Sequence, residues 1–300
     1  MIKDISFPKI SIVTPNLNGE AFLEETILSV LGQNYPNLEY IVIDGGSTDR
    51  SVEIIKKYED CLTYWISEPD NGLYDALQKG FEKSTGEIMT WINSDDILHV
   101  HSFKTVNETF EKYYFIHWIT GLCSQIDENG RNIGANNILK WSRLDYLMGN
   151  YKFIQQEGTF WKRDLWEKAG SYIDKSFKLA GDYDLWNRFF LFEKLYSINS
   201  ILASFRVRKT NQLSLDMIQY HTEVERSFIS RLCDNDHIVL KIIKLKNKRE
   251  RLLKIPILWR ILQPFVERKT LKYEKEMLIY IQQPCILKYN KHNDSFEISD

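Results

Sequence analysis

Short apolar runs that break off on polar side chains recur through the first hundred residues, and they leave few folds open. Residues 9–15 (KISIVTP), 40–43 (YIVI), 62–66 (LTYWI) and 88–92 (IMTWI) have strand character. Between them apolar residues recur at helical spacing: Phe22, Leu23, Thr26, Ile27, Val30 and Leu31, then Leu73, Ala76, Leu77 and Phe81. A helix to residue 58, with Ser47 or Thr48 as its cap, fills the remaining gap. Strand–helix alternation implies a parallel sheet with right-handed crossovers. Parallel strands bring their C-terminal ends to one edge, where ligands bind in open α/β sheets. Three of those ends are polar or acidic: Asn16 and Asn18, Asp44, and residues 93–96 (NSDD).

The last of these ends carries the most chemistry. In residues 86–98 (GEIMTWINSDDIL) a nearly continuous apolar run, suited to a strand buried on both faces, meets two carboxylates. Asp95 and Asp96 suit a hard divalent cation, which takes carboxylate oxygens and bridges to phosphates. On these residues alone, an acid-rich turn that caps the next helix is an equal alternative. A dinucleotide-binding dehydrogenase is disfavoured, because Gly45-Gly46-Ser47 is no G-x-G-x-x-G.

Beyond a helix expected over 103–113 the pattern changes. Residues 118–125 read as a strand, 127–130 as a hairpin-type turn, and 163–169 as a short helix stopped by Gly170. An acidic loop at 179–186 (LAGDYDLW) enters an aromatic helix running to residue 192, and 195–199 and 201–206 read as two closing strands. His99 and His101 read as surface residues. The composition, 43% hydrophobic and 27% charged over 300 residues, suits one large domain or a domain with an appendage. A net charge of -2 argues against a dedicated nucleic-acid binder. Cys61, Cys123, Cys233 and Cys285 lack zinc or redox spacing, which fits a reducing cytoplasm. No apolar signal core follows Met1, and no run is long enough to span a bilayer.

Six motifs occur in one order: TPNLN at 14–18, IDGGSTD at 43–49, SEPDNGLYDA at 67–76, NSDD at 93–96, QQEGTFW at 155–161 and GDYDLW at 181–186. Over residues 9–208 they closely resemble the family 2 glycosyltransferases, inverting enzymes of the GT-A fold that use nucleotide sugars. The resemblance implies an α/β, Rossmann-like fold with a mainly parallel central sheet and an α-helical C-terminal extension. Residues 1–210 would be the catalytic domain, its donor half 1–100 and its acceptor half 101–210, with the extension over 211–300. It also implies roles. Thr14, Pro15, Asn18 and Asp44 would hold the nucleoside, with Asp44 on the base and Glu68 and Asp70 lining the same pocket. NSDD resembles the family's D-x-D element, with Asn93 in place of the first acid and Ser94 beside it in the donor site. Asp95 would be the main ligand of a divalent metal, Mn²⁺ or Mg²⁺, and Asp96 its neighbour.

Asp182 matches the general base that activates the acceptor, although its residues alone read as a helix N-cap. Trp186 would lie on the helix behind it. Gln155, Gln156, Trp161 and Trp186 are the acceptor-side candidates, and the aromatics equally suit a core. Three departures stand out. Gly45 stands where many relatives have a second acid, and Gly181 where many have Glu. Arg206, Arg208 and Lys209 stand where some relatives have a histidine, which points to direct cationic contact with phosphate. The processive members' Q-x-x-R-W signature is absent. The expected activity is therefore transfer of one sugar from a nucleotide-diphosphate sugar, a UDP-sugar favoured, to a hydroxyl of a glycan or lipid-linked acceptor, in bacterial surface-polysaccharide assembly.

Two rivals are a sugar nucleotidyltransferase, which wants a basic loop that TPNLNGEAF lacks, and a non-catalytic nucleotide-sugar-binding or scaffold protein. Residues 218–232 read as a helix. Residues 238–275 interleave Lys and Arg with Leu, Ile and Trp259. That pattern suits an anionic membrane surface, and a peripheral place at the inner membrane face, as well as it suits a helix packed on the catalytic domain. The tail, 288–300, reads as frayed.

Overall fold

Alternation with period two splits the central strands between two cores, as it must when both faces of a sheet are covered. In the computed structural model, β1 (Ile10–Asn16) sends Ile10 and Ile12 to one core and Val13 to the other. In β2 (Leu38–Asp44), Tyr40 and Val42 face the first core and Ile41 and Ile43 the second. The same holds in β4 (Ile88–Trp91), where Ile88 opposes Met89 and Trp91. The structure describes residues 7–138, 141–143, 154–208, 216–233, 236–237, 240–241, 244, 264 and 285–299.

The remaining strands are β3 (Tyr64–Ser67), β5 (Ile97–Leu98), β6 (Trp118–Ile126), β7 (Asn132–Ala135), β8 (Thr159–Lys162), β9 (Tyr196–Arg206), β10 (Cys285–Asn290) and β11 (Ser295–Ser299). Among the described residues they form one sheet in the order β11-β10-β9-β6-β8-β4-β1-β2-β3. β3, β2, β1 and β4 are parallel, β8 runs antiparallel between β4 and β6, and β6, β9 and β10 are again parallel. Successive crossovers leave β1 towards β2 and return beyond it to β4, so the chain reverses direction across the sheet between β1 and β4. That is where an α/β sheet opens a crevice.

Helices cover both faces. α1 (Leu23–Leu31), α2 (Ser51–Lys57) and α4 (Ser102–Lys112) pack on the first core, and α3 (Leu73–Lys83) on the second. The second core also takes α5 (Arg163–Lys168) and α6 (Gly181–Phe189), and it is built on tryptophan. Trp186 stacks on Trp91 at 5.8 Å and on Trp118 at 5.7 Å, and Trp161 meets both Trp91 and Trp186 edge-on. α7 (Met217–Ser230) packs on α6.

Four expectations need correction. The two closing strands are one eleven-residue strand, β9, which shifts register against β6 near Gly121 and Leu122 instead of breaking. The tail is not frayed: β10 and β11 form a hairpin whose first strand pairs with β9 and buries Leu287. Neither Ser47 nor Thr48 caps α2, since the Ser47 hydroxyl is drawn to Asp44. His99 also lies off the surface, half-buried, with its ring near Ser124 and Ser204. The segment 238–275 falls outside the described residues apart from isolated positions. Because Trp91 is fully buried among aromatic partners, Trp91→Ala should cost about 3–5 kcal/mol of stability, measured by urea unfolding.

Candidate active site

The ends of β1, β2 and β3 are tied together by one carboxylate. Asp44, fully buried, accepts from Asn16 Nδ2 at 2.7 Å, Ser47 Oγ at 2.5 Å, Ser47 N at 3.0 Å and Ser67 Oγ at 2.6 Å. Burial works against its ionisation, but the hydrogen bonds from Ser47, Ser67 and Asn16 outweigh it and hold the carboxyl below the usual range. Asn18, in the left-handed region at φ 51°, accepts from Thr48 N, while its own N–H donates to Ser47 Oγ. Gly45 has a clear local role. A Cβ there would stand 2.7 Å from Asp70 Oδ2, so the missing side chain admits Asp70 over the end of β2. Glu68 is exposed and paired with Lys79 at 2.8 Å. Thr14 and Pro15 lie within β1, both buried, and Thr14 Oγ1 is 3.1 Å from Tyr40 Oη.

At the end of β4 the two acids part company. Asp95 is half-buried and meets Arg208 Nε at 2.9 Å. Burial raises its pKa, and the Arg208 and Arg206 guanidiniums oppose the rise. Asp96 turns inward: its Oδ1 accepts from Arg206 N at 2.8 Å and its Oδ2 from Asn93 Nδ2 at 3.2 Å. Burial, followed by the charges of Asp95 and Glu157, pushes its pKa well up. The geometry therefore corrects Asp96 as a metal ligand, because both its oxygens serve the turn. Ser94 is half-buried beside the loop after β1, facing Gly19. Arg206, expected at phosphate, is fully buried instead, donating to Asp95 O at 2.7 Å and pairing with Glu25. Arg208 alone of the two reaches the crevice; Lys209 lies outside the described residues.

Among the described residues, no cluster of three His, Cys, Asp or Glu could hold a metal by itself. Asp95 nevertheless fits Mg²⁺ or Mn²⁺ shared with a diphosphate. Mg²⁺ in particular takes one or two carboxylates and completes its shell with phosphate oxygens and water.

Across the edge, Asp182 sits in the first turn of α6. Its Oδ1 accepts from Tyr183 N at 2.7 Å, and burial, with the Glu223 charge adding to it, raises its pKa to about 6. It is not the N-cap. α6 starts at Gly181 after Ala180, and the carboxylate of Glu223 on α7 takes the N–H groups of the three residues leading into it. Gly181 is the second position where a missing side chain matters. A Cβ would lie 2.7 Å from the Tyr74 ring, which closes over the start of the helix. Gln155 lines a small cleft of about 40 Å³ with Thr120, Asn136, Asn137, Trp141 and Ser197. Gln156 is buried beside Glu157. Trp161 and Trp186 are 0% and 1% exposed. They are therefore corrected as acceptor-facing groups: Trp161 from β8 and Trp186 from α6 turn their rings into one shared core.

The family model described as glycosyl transferase family 2 matches residues 11–194. The chain belongs to that family. An uncharacterized glycosyltransferase of Rickettsia prowazekii is 26% identical over 249 residues, covering 80% of this chain and 78% of its own length. One from Haemophilus influenzae is 39% identical over 158 residues, 52% of each chain. Among solved structures, residues 1-349 of S. aureus TarS in complex with UDP-GlcNAc share the fold at a TM-score of 0.61 and 17% identity, covering 77% of this chain and 70% of that one. The GT-A fold expected from the motifs is therefore the one this family 2 enzyme adopts.

Glu157 was passed over in the sequence, although it stands inside a quoted motif. It occupies a 3₁₀ turn, Gln156–Gly158, just before β8, which places it at the crevice edge beside β4. It is buried; burial, reinforced by the charges of Asp182 and Asp95, raises its pKa to about 7. Its position between two charged motifs was the available signal. A carboxyl whose folded-state pKa is raised costs stability as pH climbs from its unfolded value, about 4.3, towards the folded one. Glu157→Gln should thus gain more stability over wild type at pH 8 than at pH 5, read by urea unfolding at both.

Proposed function

We propose that this glycosyltransferase moves a single sugar, with inversion, from a nucleoside-diphosphate sugar to a hydroxyl of a glycan or lipid-linked acceptor, without processive growth, in bacterial surface-polysaccharide assembly. The observation that carries the reading is the division of charge along one sheet edge. Asp95, paired with Arg208, stands at the end of β4, and the half-buried carboxyl of Asp182 stands across from it, with Glu157 electrostatically between them. The UDP-GlcNAc bound in TarS supports a UDP-sugar as donor. The relatives' bacterial sources favour a bacterial setting.

In this reading the acceptor hydroxyl gives its proton to Asp182 as its oxygen attacks the anomeric carbon. The bond from that carbon to the β-phosphate oxygen breaks, and its electron pair leaves with the nucleoside diphosphate. Arg208 offers its guanidinium to the leaving charge, and the Asn18, Asp44 and Asp70 cluster frames the nucleoside. A divalent metal on Asp95 would supply Lewis-acid stabilisation of the departing diphosphate. The raised pKa suits Asp182 to its task, since a base near the working pH combines availability with driving force. Among the described residues no helix is long and apolar enough to cross a membrane. A lipid-linked acceptor would be met at an anionic cytoplasmic surface through the basic segment 238–275.

Calorimetry with UDP, GDP and dTDP, with and without Mn²⁺, tests the donor reading. UDP should bind best, more tightly with Mn²⁺, and Asp95→Ala should lose the metal dependence; no nucleotide binding at all would refute the reading. Asp182→Asn should bind UDP normally yet turn over roughly 10²–10⁴-fold more slowly. In the wild type, kcat/KM should rise with pH through about pH 6 as Asp182 ionises.

A further inference from the structure

We infer that Glu223, on the helix that follows the matched family domain, is a positioning residue for the general base. Its carboxylate accepts from three consecutive backbone N–H groups just before α6: Lys178 N at 3.0 and 3.1 Å, Leu179 N at 2.8 Å and Ala180 N at 3.0 Å. Gln219 Nε2, one turn earlier on α7, steadies the same carboxylate at 3.2 Å. A run of N–H groups entering a helix is an anion cradle, and the helix dipole favours negative charge there. α6 begins at Gly181 with no side chain of its own capping it. Glu223 thereby pins the three residues that lead into α6 and fixes the backbone from which Asp182 projects.

The second half of the inference is electrostatic. Three titratable groups from packed elements face Asp182 among the described residues: Tyr74 on α3, Glu157 before β8 and Glu223 on α7. Asp184, next along α6, turns away to Arg188, Ser227 and Arg231. Glu223 is held ionised: burial opposes its charge, but the three backbone donors and Gln219 prevail and lower its pKa. A fixed negative charge close to Asp182 disfavours a second one there. Glu223 therefore does two things to the base, fixing the backbone that carries it and keeping its proton affinity high.

This inference rests on the reading of Asp182 as the base, and the experiment separates the two. Full-length protein labelled with [¹³Cγ]aspartate is titrated by NMR, with the Asp182 signal assigned by its absence in Asp182→Asn. Amide exchange at residues 178–180 is followed by mass spectrometry. Glu223→Gln should move the Asp182 midpoint down by about half a pH unit or more, and exchange at 178–180 should quicken by about tenfold or more. Glu223→Asp keeps the charge but withdraws it by one methylene, so it should free the amides while leaving the midpoint nearer to wild type. A folded Glu223→Gln protein with unchanged midpoint and unchanged exchange overturns the proposal. Should Glu223→Gln not fold, unchanged exchange in Glu223→Asp overturns it equally. UDP-GlcNAc hydrolysis is the separate arm. If Asp182→Asn hydrolyses it at the wild-type rate, the base reading fails and takes the proposal with it. If Asp182→Asn is inactive while Glu223→Gln leaves midpoint and exchange unmoved, only the role of Glu223 fails.

Discussion

A buried guanidinium sets the geometry of the catalytic edge. Arg206 closes β9 with no solvent exposure, donates to Asp95 O and Asp127 O, pairs with Glu25 on α1 and lies over the Phe22 ring at 4.5 Å. An arginine withdrawn from water must find partners in fixed places, because a buried charge left unpaired is costly. Those partners come from α1, the turn after β4 and the turn after β6, so the arginine admits one arrangement of all three. Its backbone N–H then takes Asp96, and two residues on, Arg208 meets Asp95. Asp95 is left facing the crevice because everything around it is already committed.

Carboxyl groups along this edge are tuned in opposite directions by the donors within reach. Asp44 has four and is held low; Asp182 has one backbone N–H from Tyr183 and is pushed up to about 6. The first is thus a permanent anion that organises loops, whereas the second can exchange a proton near neutral pH. Groups whose surroundings drive their pKa values apart are those with distinct chemical duties. Asp96 and Glu157 share the raised side of this division, and each makes ionisation of the next more costly. Holding them together gives up stability, and carboxyls perturbed in this way concentrate at functional sites.

The parallel half of this arrangement was legible in the residues. Short apolar runs ending on Asn16, Asp44 and Asn93 required a shared carboxyl edge, and the strands lie within two residues of their expected places. The acceptor half was harder because its information is non-local. Nothing in QQEGTFW distinguishes a glutamate facing Asp182 from a surface one until β8 is seen inserted antiparallel between β4 and β6. Trp161 and Trp186 carry the composition of a sugar platform, but whether they meet solvent or the core depends on that same insertion, which sets the face of Trp161 against which Trp186 of α6 packs. The hairpin at the C-terminus was hidden for a related reason: β10 pairs with β9, about ninety residues earlier in the chain, and its polar residues belong to an edge.

The family match ends at residue 194, yet the physical unit does not. Asp184 on α6 is fully buried, and its charge is answered from both sides, by Arg188 on its own helix and by Arg231 and Ser227 from beyond the match. Asn187 adds a bond to Ser227, and Arg143 joins Asp236 to the carbonyl of Asn187. A helix that holds a base in register must resist rotation about its axis. Apolar packing alone does that poorly, because stacked rings tolerate small slips. Directed hydrogen bonds to buried charges do not, since a slip of one residue would strand Asp184 or Arg188 without a partner. The tryptophan layer therefore supplies cohesion, and the polar lattice supplied by α7 supplies the register. On that division, the residues after the family domain determine where Asp182 points as surely as the motif that contains it.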